Sequence, residues 1–117
     1  MYEGMYSFEY KGVDGAGVGL IVVTAGRVFG SDGGVQYDGT SRPAAGRQGW
    51  IDLHLTLTVP PGVPLVTGMA PQPAEYRFDL DLAIQARGET RGIVDTPYGP
   101  VGVAVRFLRE IPRGIAA

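Results

Sequence analysis

His54 is the only imidazole of the chain, and Asp79 and Asp81 are the carboxylates whose spacing best suits a catalytic pair. Two residues apart on one strand, the aspartates would share a face and lie roughly 7 Å from each other, a separation that acid and base groups can use. His54 alternates with Asp52 and Thr56, so it would lie on a polar strand face and would need a substrate pocket to act as a general base. Solvated strand faces commonly carry such residues. We therefore predict no catalytic residues.

The glycine-rich segments do not match a cofactor motif either. In the run 15–19, Gly-Ala-Gly-Val-Gly, the third glycine of a dinucleotide fingerprint is replaced by Leu20, and a strand pattern follows instead of a helix. Residues 30–34 lack the alternating acidic ligands of a calcium loop. With no cysteine and one histidine, the composition excludes cysteine zinc sites and histidine-rich metal centres. We predict no bound cofactor and no metal ion.

Length and charge restrict the class of protein further. The chain has 117 residues, of which 19% are charged, and a net charge of -2. This length fits one domain over residues 1–117, and the lack of a basic surface disfavours direct nucleic-acid binding. The amino terminus lacks the basic and apolar stretches of a secretory signal. The longest apolar run, 18–23, is too short to span a bilayer. We expect a cytoplasmic protein without membrane contact.

Alternation of apolar and polar residues with a period of two organises the chain, and glycine or proline clusters divide it into short segments. The pattern predicts about eight strands, at 4–11, 17–24, 27–30, 35–39, 50–59, 75–86, 89–96 and 101–109. Strands with one apolar face must close on themselves to bury that face and protect their edges. The expected fold is an all-β, antiparallel up-and-down barrel, with a β-sandwich as the alternative. Closure requires the last strand to pair with the first.

The interior of such a barrel either fills with side chains or holds one small ligand. A filled core is the commoner fate of alternating apolar residues, and we expect Phe78, Leu80 and Phe107 to be among the most buried side chains. A hollow interior would be lined by the inward aromatic residues, which are Tyr6, Phe8, Tyr37, Tyr76, Phe78 and Phe107. The proline-rich segment 60–73 would then serve as a lid, and we call it the lid segment.

The second predicted strand has apolar residues on both of its faces. Val18, Leu20 and Val22 alternate with Ile21 and Val23, and one of these two sets must point away from the barrel. An outward apolar set favours contact with another protein molecule, and the low content of charged residues also favours such self-association. We therefore predict a two-fold homodimer through this strand.

Several motifs give the sequence a resemblance to a known family. They are Gly4-Met5-Tyr6-Ser7-Phe8, Gly17-Val18-Gly19, the run 26–32 and Tyr37-Asp38-Gly39, together with the last strand, 103–108. The chain resembles the GrlR-like family of bacterial type III secretion regulators, most closely over residues 4–40. The resemblance implies a calycin-like barrel, a homodimer, and negative regulation by binding a transcriptional activator without contacting DNA. Where that family has an acidic run, residues 40–49 carry Arg42 and Arg47, a candidate partner-facing loop.

Three functions remain open from the sequence. The first is a noncatalytic regulator or adaptor that binds a protein partner. The second is a carrier that holds a small apolar molecule inside the barrel. The third is a small-barrel isomerase or cyclase, which we rank last because a fold alone does not imply catalysis.

Overall fold

The computed structural model describes residues 2–112, and this part of the chain is all β. The eight strands are β1 (Gly4–Gly12), β2 (Gly15–Thr24), β3 (Arg27–Ser31), β4 (Gln36–Pro43), β5 (Trp50–Val59), β6 (Tyr76–Gln85), β7 (Glu89–Thr96) and β8 (Gly99–Arg109). Within residues 2–112 there is no helix with the length and apolar content needed to cross a bilayer.

The strands form one antiparallel sheet in the order β6-β5-β4-β3-β2-β1-β8-β7, which curves into a nearly closed barrel. The last strand pairs with the first, with Tyr6 opposite Phe107 and Tyr10 opposite Val103, so the predicted closure is confirmed. The single continuous sheet also decides for the barrel over the sandwich. Every connection between strands that follow each other in sequence is a hairpin or a local loop, as expected of an up-and-down topology.

The two ends of the sheet, β6 and β7, meet at a seam. In the described part of the chain no backbone ladder joins these two strands. Near the turn that connects β6 and β7, two hydrogen bonds donated by Gln85 join the strands instead of a backbone ladder. The Gln85 backbone N–H donates to the Thr90 hydroxyl at 2.8 Å, and its side-chain amide donates to the Glu89 carbonyl at 3.1 Å. The barrel is therefore joined at the turn end of the seam and unpaired further along it.

The barrel has two different ends. At the closed end, which carries the turns around residues 25, 46 and 87, the interior is filled by fully buried side chains. These are Tyr6, Val23, Val28, Ile51, Leu53 and Ile84. The Tyr6 hydroxyl donates to the Ala86 carbonyl at 2.8 Å, which satisfies its buried polar group. The opposite end carries the lid segment, and we call it the lid end.

Burial corrects two of the three core predictions. Phe78 is buried as predicted, whereas Leu80 and Phe107 are half-buried. Leu80 faces the lid half of the barrel beside the seam, and Phe107 lies at the closed end beneath the Arg87 guanidinium, which is 4.4 Å from its ring centroid. Alternation gives the face of a residue but not how deeply its neighbours cover it.

The fourth strand is longer than predicted. It extends to Pro43 because residues 40–43 continue the ladder with β5, where Arg42 lies opposite Asp52. The predicted loop 40–49 is therefore half strand. Arg42 lies on the sheet, and Arg47 lies in the turn that follows.

Candidate functional site

A cavity of about 340 Å³ occupies the lid half of the barrel. Its walls are mainly apolar residues of β5, β6, β7 and β8, completed by the aromatic residues of β1 and β4. The lining includes Phe8, Ile21, Val35, Tyr37, Leu55, Leu57, Phe78, Leu80, Leu82, Val94, Val101, Val103 and Val105. The volume lies at the small end of the range of about 300–1,000 Å³ that is typical of ligand sites. The barrel is thus filled at one end and hollow at the other.

The lid segment covers this cavity. Residues 63–67 contribute to the lining, with Val63 and Leu65 among them. The segment is fastened to the barrel by the Asp14 N–H, which donates to the Val66 carbonyl at 2.8 Å. It is braced internally by the Gly62 N–H, which donates to the Gln72 carbonyl at 3.0 Å. The lid segment is therefore a wall of the cavity with its own hydrogen bonds.

A polar cluster, Tyr10, Asp32 and Tyr37, interrupts the apolar wall, which also includes Thr67 and Thr96. Asp32 Oδ2 accepts the Tyr10 hydroxyl at 2.7 Å and the Tyr37 hydroxyl at 3.0 Å. Asp32 Oδ1 accepts the backbone N–H groups of Gly34 and Val35, each at 2.8 Å. Four donors thus converge on one carboxylate, which holds it in place at the turn between β3 and β4.

Both tyrosines of the cluster stay protonated far above neutral pH. Burial, followed by the hydrogen bond to Asp32 and its negative charge, raises the pKa of Tyr10. Burial, followed by the charge of Asp32, raises the pKa of Tyr37. Each phenol therefore stays protonated and donates a hydrogen bond to Asp32.

Glycines of β2 make room for the aromatic side chains of the site. Gly17 lies opposite Tyr10 and Gly19 opposite Phe8 on the adjacent strand. A Cβ on either glycine would overlap the opposing ring. The rings therefore lie across β2, where Phe8 contacts Tyr37 with centroids 5.0 Å apart. The glycine-rich run 15–19 therefore lets Tyr10 reach Asp32.

The cavity also reaches the seam between β6 and β7. Leu80 and Leu82 line the cavity yet are half-buried. On the other side of the seam, Gly92 is exposed, and a Cβ placed on it would have no atom within 4 Å. Because β6 and β7 are not joined by backbone hydrogen bonds and Gly92 has no side chain, the cavity wall is thin at this part of the seam.

The predicted lining residues separate into two groups. Phe8, Tyr37 and Phe78 line the cavity. Tyr6 and Phe107 do not, because they pack edge to face with centroids 5.6 Å apart in the filled, closed end. Tyr76 does not line the cavity either; it packs against Tyr98 with centroids 5.8 Å apart, and its buried hydroxyl has no hydrogen-bond partner in the described structure.

Sequence reasoning missed Tyr10 and Asp32. Tyr10 continues the alternation of Tyr6 and Phe8, so the pattern alone could have placed it inside. Asp32 carried no such signal, because an aspartate before two glycines is typical of a turn. Its role depends on Tyr10, which lies 22 positions away in sequence.

The other candidates for chemistry lie together on the outer surface. His54 Nδ1 is 2.7 Å from Asp81 Oδ1, and His54 Nε2 is 3.7 Å from Asp79 Oδ2, while Thr56 donates to Asp79 at 2.8 Å. The hydrogen bond to Asp81 raises the pKa of His54. The His54 side chain is 52% exposed, so this is a solvated cross-strand cluster. Among the described residues, no group of three or more histidine or acidic side chains is arranged to hold a metal ion.

The two arginines of the 40–49 region have different surroundings. Arg42 lies at the end of β4 and is exposed. The Arg47 guanidinium stacks on the Trp50 ring, 3.7 Å from its centroid, as in a cation–π contact. Arg47 therefore has a local partner on its own chain.

The two faces of β2 differ in burial, as the alternation of its residues predicts. Ile21 and Val23 are buried inside the barrel. Val18 and Leu20 point outward and are 66% and 47% exposed, and Val22 lies on the same outer face. Phe29 of β3 is opposite Val22 in register and is 49% exposed. The outer face of β2 and β3 thus carries an apolar patch.

No family model matches this chain, and no curated protein matches it.

Proposed function

We propose that this protein is a noncatalytic binding protein that holds one small apolar molecule in the lid half of its barrel. The observation that carries the proposal is the cavity of about 340 Å³ with its mainly apolar lining. An apolar hollow is filled favourably by an apolar ligand, because each Å² of apolar surface removed from water contributes roughly 25 cal/mol. Because the volume lies at the small end of the range for ligand sites, it suits a small ligand.

The polar cluster supports binding over catalysis. Asp32 already accepts four hydrogen bonds, so its oxygen atoms have no capacity left to remove a proton from a ligand. The raised pKa values of Tyr10 and Tyr37 oppose their action as bases at neutral pH. This arrangement orients a ligand without transferring a proton to or from it.

Calorimetric titration of the protein with 1-octanol tests the proposal. We expect saturable binding at one site per chain. Val103→Phe, on the cavity wall, should weaken binding at least about tenfold because the added ring occupies ligand volume. Ile93→Phe, on an exposed position of β7, is the matched control and should leave the affinity unchanged. Absence of saturable binding, or equal affinities of the Val103→Phe and wild-type proteins, would refute the proposal.

We also propose that the protein forms a homodimer through the apolar patch on β2 and β3. Val18, Leu20 and Phe29 expose apolar surface next to the Arg27–Asp38 ion pair, whose atoms are 3.3 Å apart. An apolar centre beside charges of both signs suits a two-fold, self-complementary contact with a second copy. Such a homodimer, burying more than about 1,000 Å² in total, is also the assembly that the GrlR-like resemblance implies.

Light scattering at micromolar concentration tests this second proposal. The wild-type protein should be a dimer and Leu20→Lys a monomer, whereas Ile93→Lys, at another exposed apolar position, should stay dimeric. A monomeric wild-type protein would contradict it.

A further inference from the structure

We propose that the ligand of the cavity is an aliphatic molecule that ends in a hydrogen-bond donor, by preference a protonated amine, and that this end contacts the Tyr10, Asp32 and Tyr37 cluster. The inference rests on the proposed function, because it assigns the polar end of the molecule that the cavity would hold. It follows from which hydrogen-bonding groups of the cluster are already used.

The hydrogen-bond inventory of the cluster leaves acceptors only. A phenol has one proton and two lone pairs. Tyr10 and Tyr37 each donate that proton to Asp32 Oδ2, at 2.7 and 3.0 Å. The unused capacity is therefore the lone pairs of the two phenolic oxygen atoms. A ligand group can satisfy them only by donating.

The negative charge of the cluster determines which polar group of a ligand should bind most tightly. Asp32 carries the negative charge, and the surrounding wall is mainly apolar, so the charge is screened less than it would be in water. A protonated amine offers three donors and a compensating charge, and a hydroxyl offers one donor and no charge. A carboxylate offers neither and brings a like charge close to Asp32. The expected order of affinity is amine, then alcohol, then carboxylate.

The rest of the ligand should be aliphatic. Away from the cluster the cavity is walled mainly by aliphatic residues such as Leu57, Leu80 and Val103. Of the two threonines that also line it, Thr67 belongs to the lid segment, and Thr96 already donates its hydroxyl proton to the Gly99 carbonyl at 2.7 Å. The aliphatic side chains offer no partner to a second polar group, and a buried polar group without a partner is costly. One polar end and one apolar body therefore match the two parts of the cavity.

The test compares three probes of equal chain length, octylamine, 1-octanol and octanoate, by calorimetric titration of the wild-type protein at neutral pH. Octylamine should bind most tightly, and its affinity should exceed that of octanoate by at least about tenfold. If 1-octanol binds but octanoate binds as tightly as octylamine, the assignment of the polar end is overturned while the proposed function stands. If none of the three probes binds, both are overturned.

Two variants separate the charge from the hydroxyl groups. Asp32→Asn removes the charge and the oxygen that accepts the two phenol protons, but keeps an oxygen that can accept the N–H groups of Gly34 and Val35. It should lower the ratio of octylamine to octanoate affinity by at least about tenfold. Tyr10→Phe removes one hydroxyl and keeps the charge, so the preference for the amine should persist. An unchanged ratio in folded Asp32→Asn would overturn the role of Asp32, and if that variant does not fold, the wild-type ranking still decides.

Discussion

A pair of matched substitutions tests whether the cavity wall beside the seam is packed less tightly than the core next to it. Leu53 of β5 and Leu82 of β6 lie directly opposite each other in the ladder, and both face inward. Leu53 is 1% exposed, whereas Leu82 is half-buried and lines the cavity. The same substitution, leucine to alanine, should therefore have different costs at these neighbouring positions.

The two costs follow from the surroundings of each side chain. Leu53→Ala removes a fully packed side chain and leaves a new cavity, for which such substitutions cost about 3–5 kcal/mol of unfolding free energy. Leu82→Ala removes a side chain that keeps part of its surface in water and borders space that is already empty. Complete burial of a leucine is worth about 1.5–3 kcal/mol. Because Leu82 keeps only a minor part of its surface in water, a loss of about 1–2 kcal/mol is expected without a further cavity term.

Urea unfolding followed by circular dichroism measures both values, provided that the transition is two-state. The Leu53→Ala protein should unfold at clearly lower urea than the Leu82→Ala protein, with unchanged slopes. Equal losses within about 0.5 kcal/mol would show that the wall beside the seam is packed as tightly as the core next to it, and would contradict the prediction.

Three further predictions concern particular positions. Gly19→Ala should cost about 1–3 kcal/mol of unfolding free energy because its Cβ would overlap the Phe8 ring; Gly92→Ala, where a Cβ meets nothing within 4 Å, is the control and should be neutral or slightly stabilising. Gly92→Leu should slow octanol association and dissociation together, measured by stopped flow, because the side chain would cover the thin wall at the seam; equal rates would exclude entry there. The raised pKa of His54 should be visible in an NMR titration of its ring and should fall in Asp81→Asn, since Asp81 is the main cause of the shift.

The His54 cluster also predicts the direction of a pH effect on stability. Because the folded-state pKa is raised above 6.5, protonation favours the folded protein. This contribution is fully present below about pH 6.5 and is lost as the pH rises through the folded-state value. His54→Gln should remove that dependence, and an unchanged pH profile in the variant would contradict the assignment.

Much of the fold was predictable because alternation with a period of two reports which face of a strand is apolar. Ile51, Leu53, Leu55, Leu57 and Val59 of β5 all face inward as the pattern requires. Closure through β1 and β8 followed from the need to protect two apolar edges. The extension of β4 to Pro43 was not predictable, because residues 40–43 are polar or proline and acquire their strand conformation from pairing with β5.

The candidate site was predictable only in part. Phe8, Tyr37 and Phe78 could be placed inside by their spacing, but the same spacing placed Tyr6 and Phe107 there too. Whether an inward aromatic residue lines a hollow or fills a core depends on the summed volumes of neighbours from other strands. That sum is not a property of any one segment.

The sequence by itself determined the strand faces, the turns and the all-β class, since these depend on the residue types within each short segment. Tertiary structure alone decided that the barrel is hollow beneath the lid segment, that β6 and β7 meet at an unpaired seam, and that Asp32 joins Tyr10 and Tyr37. Each of these depends on residues distant in sequence that the register of the sheet brings together. The physical reason is that burial and hydrogen-bond partnership are relations between strands, whereas alternation is a relation within one.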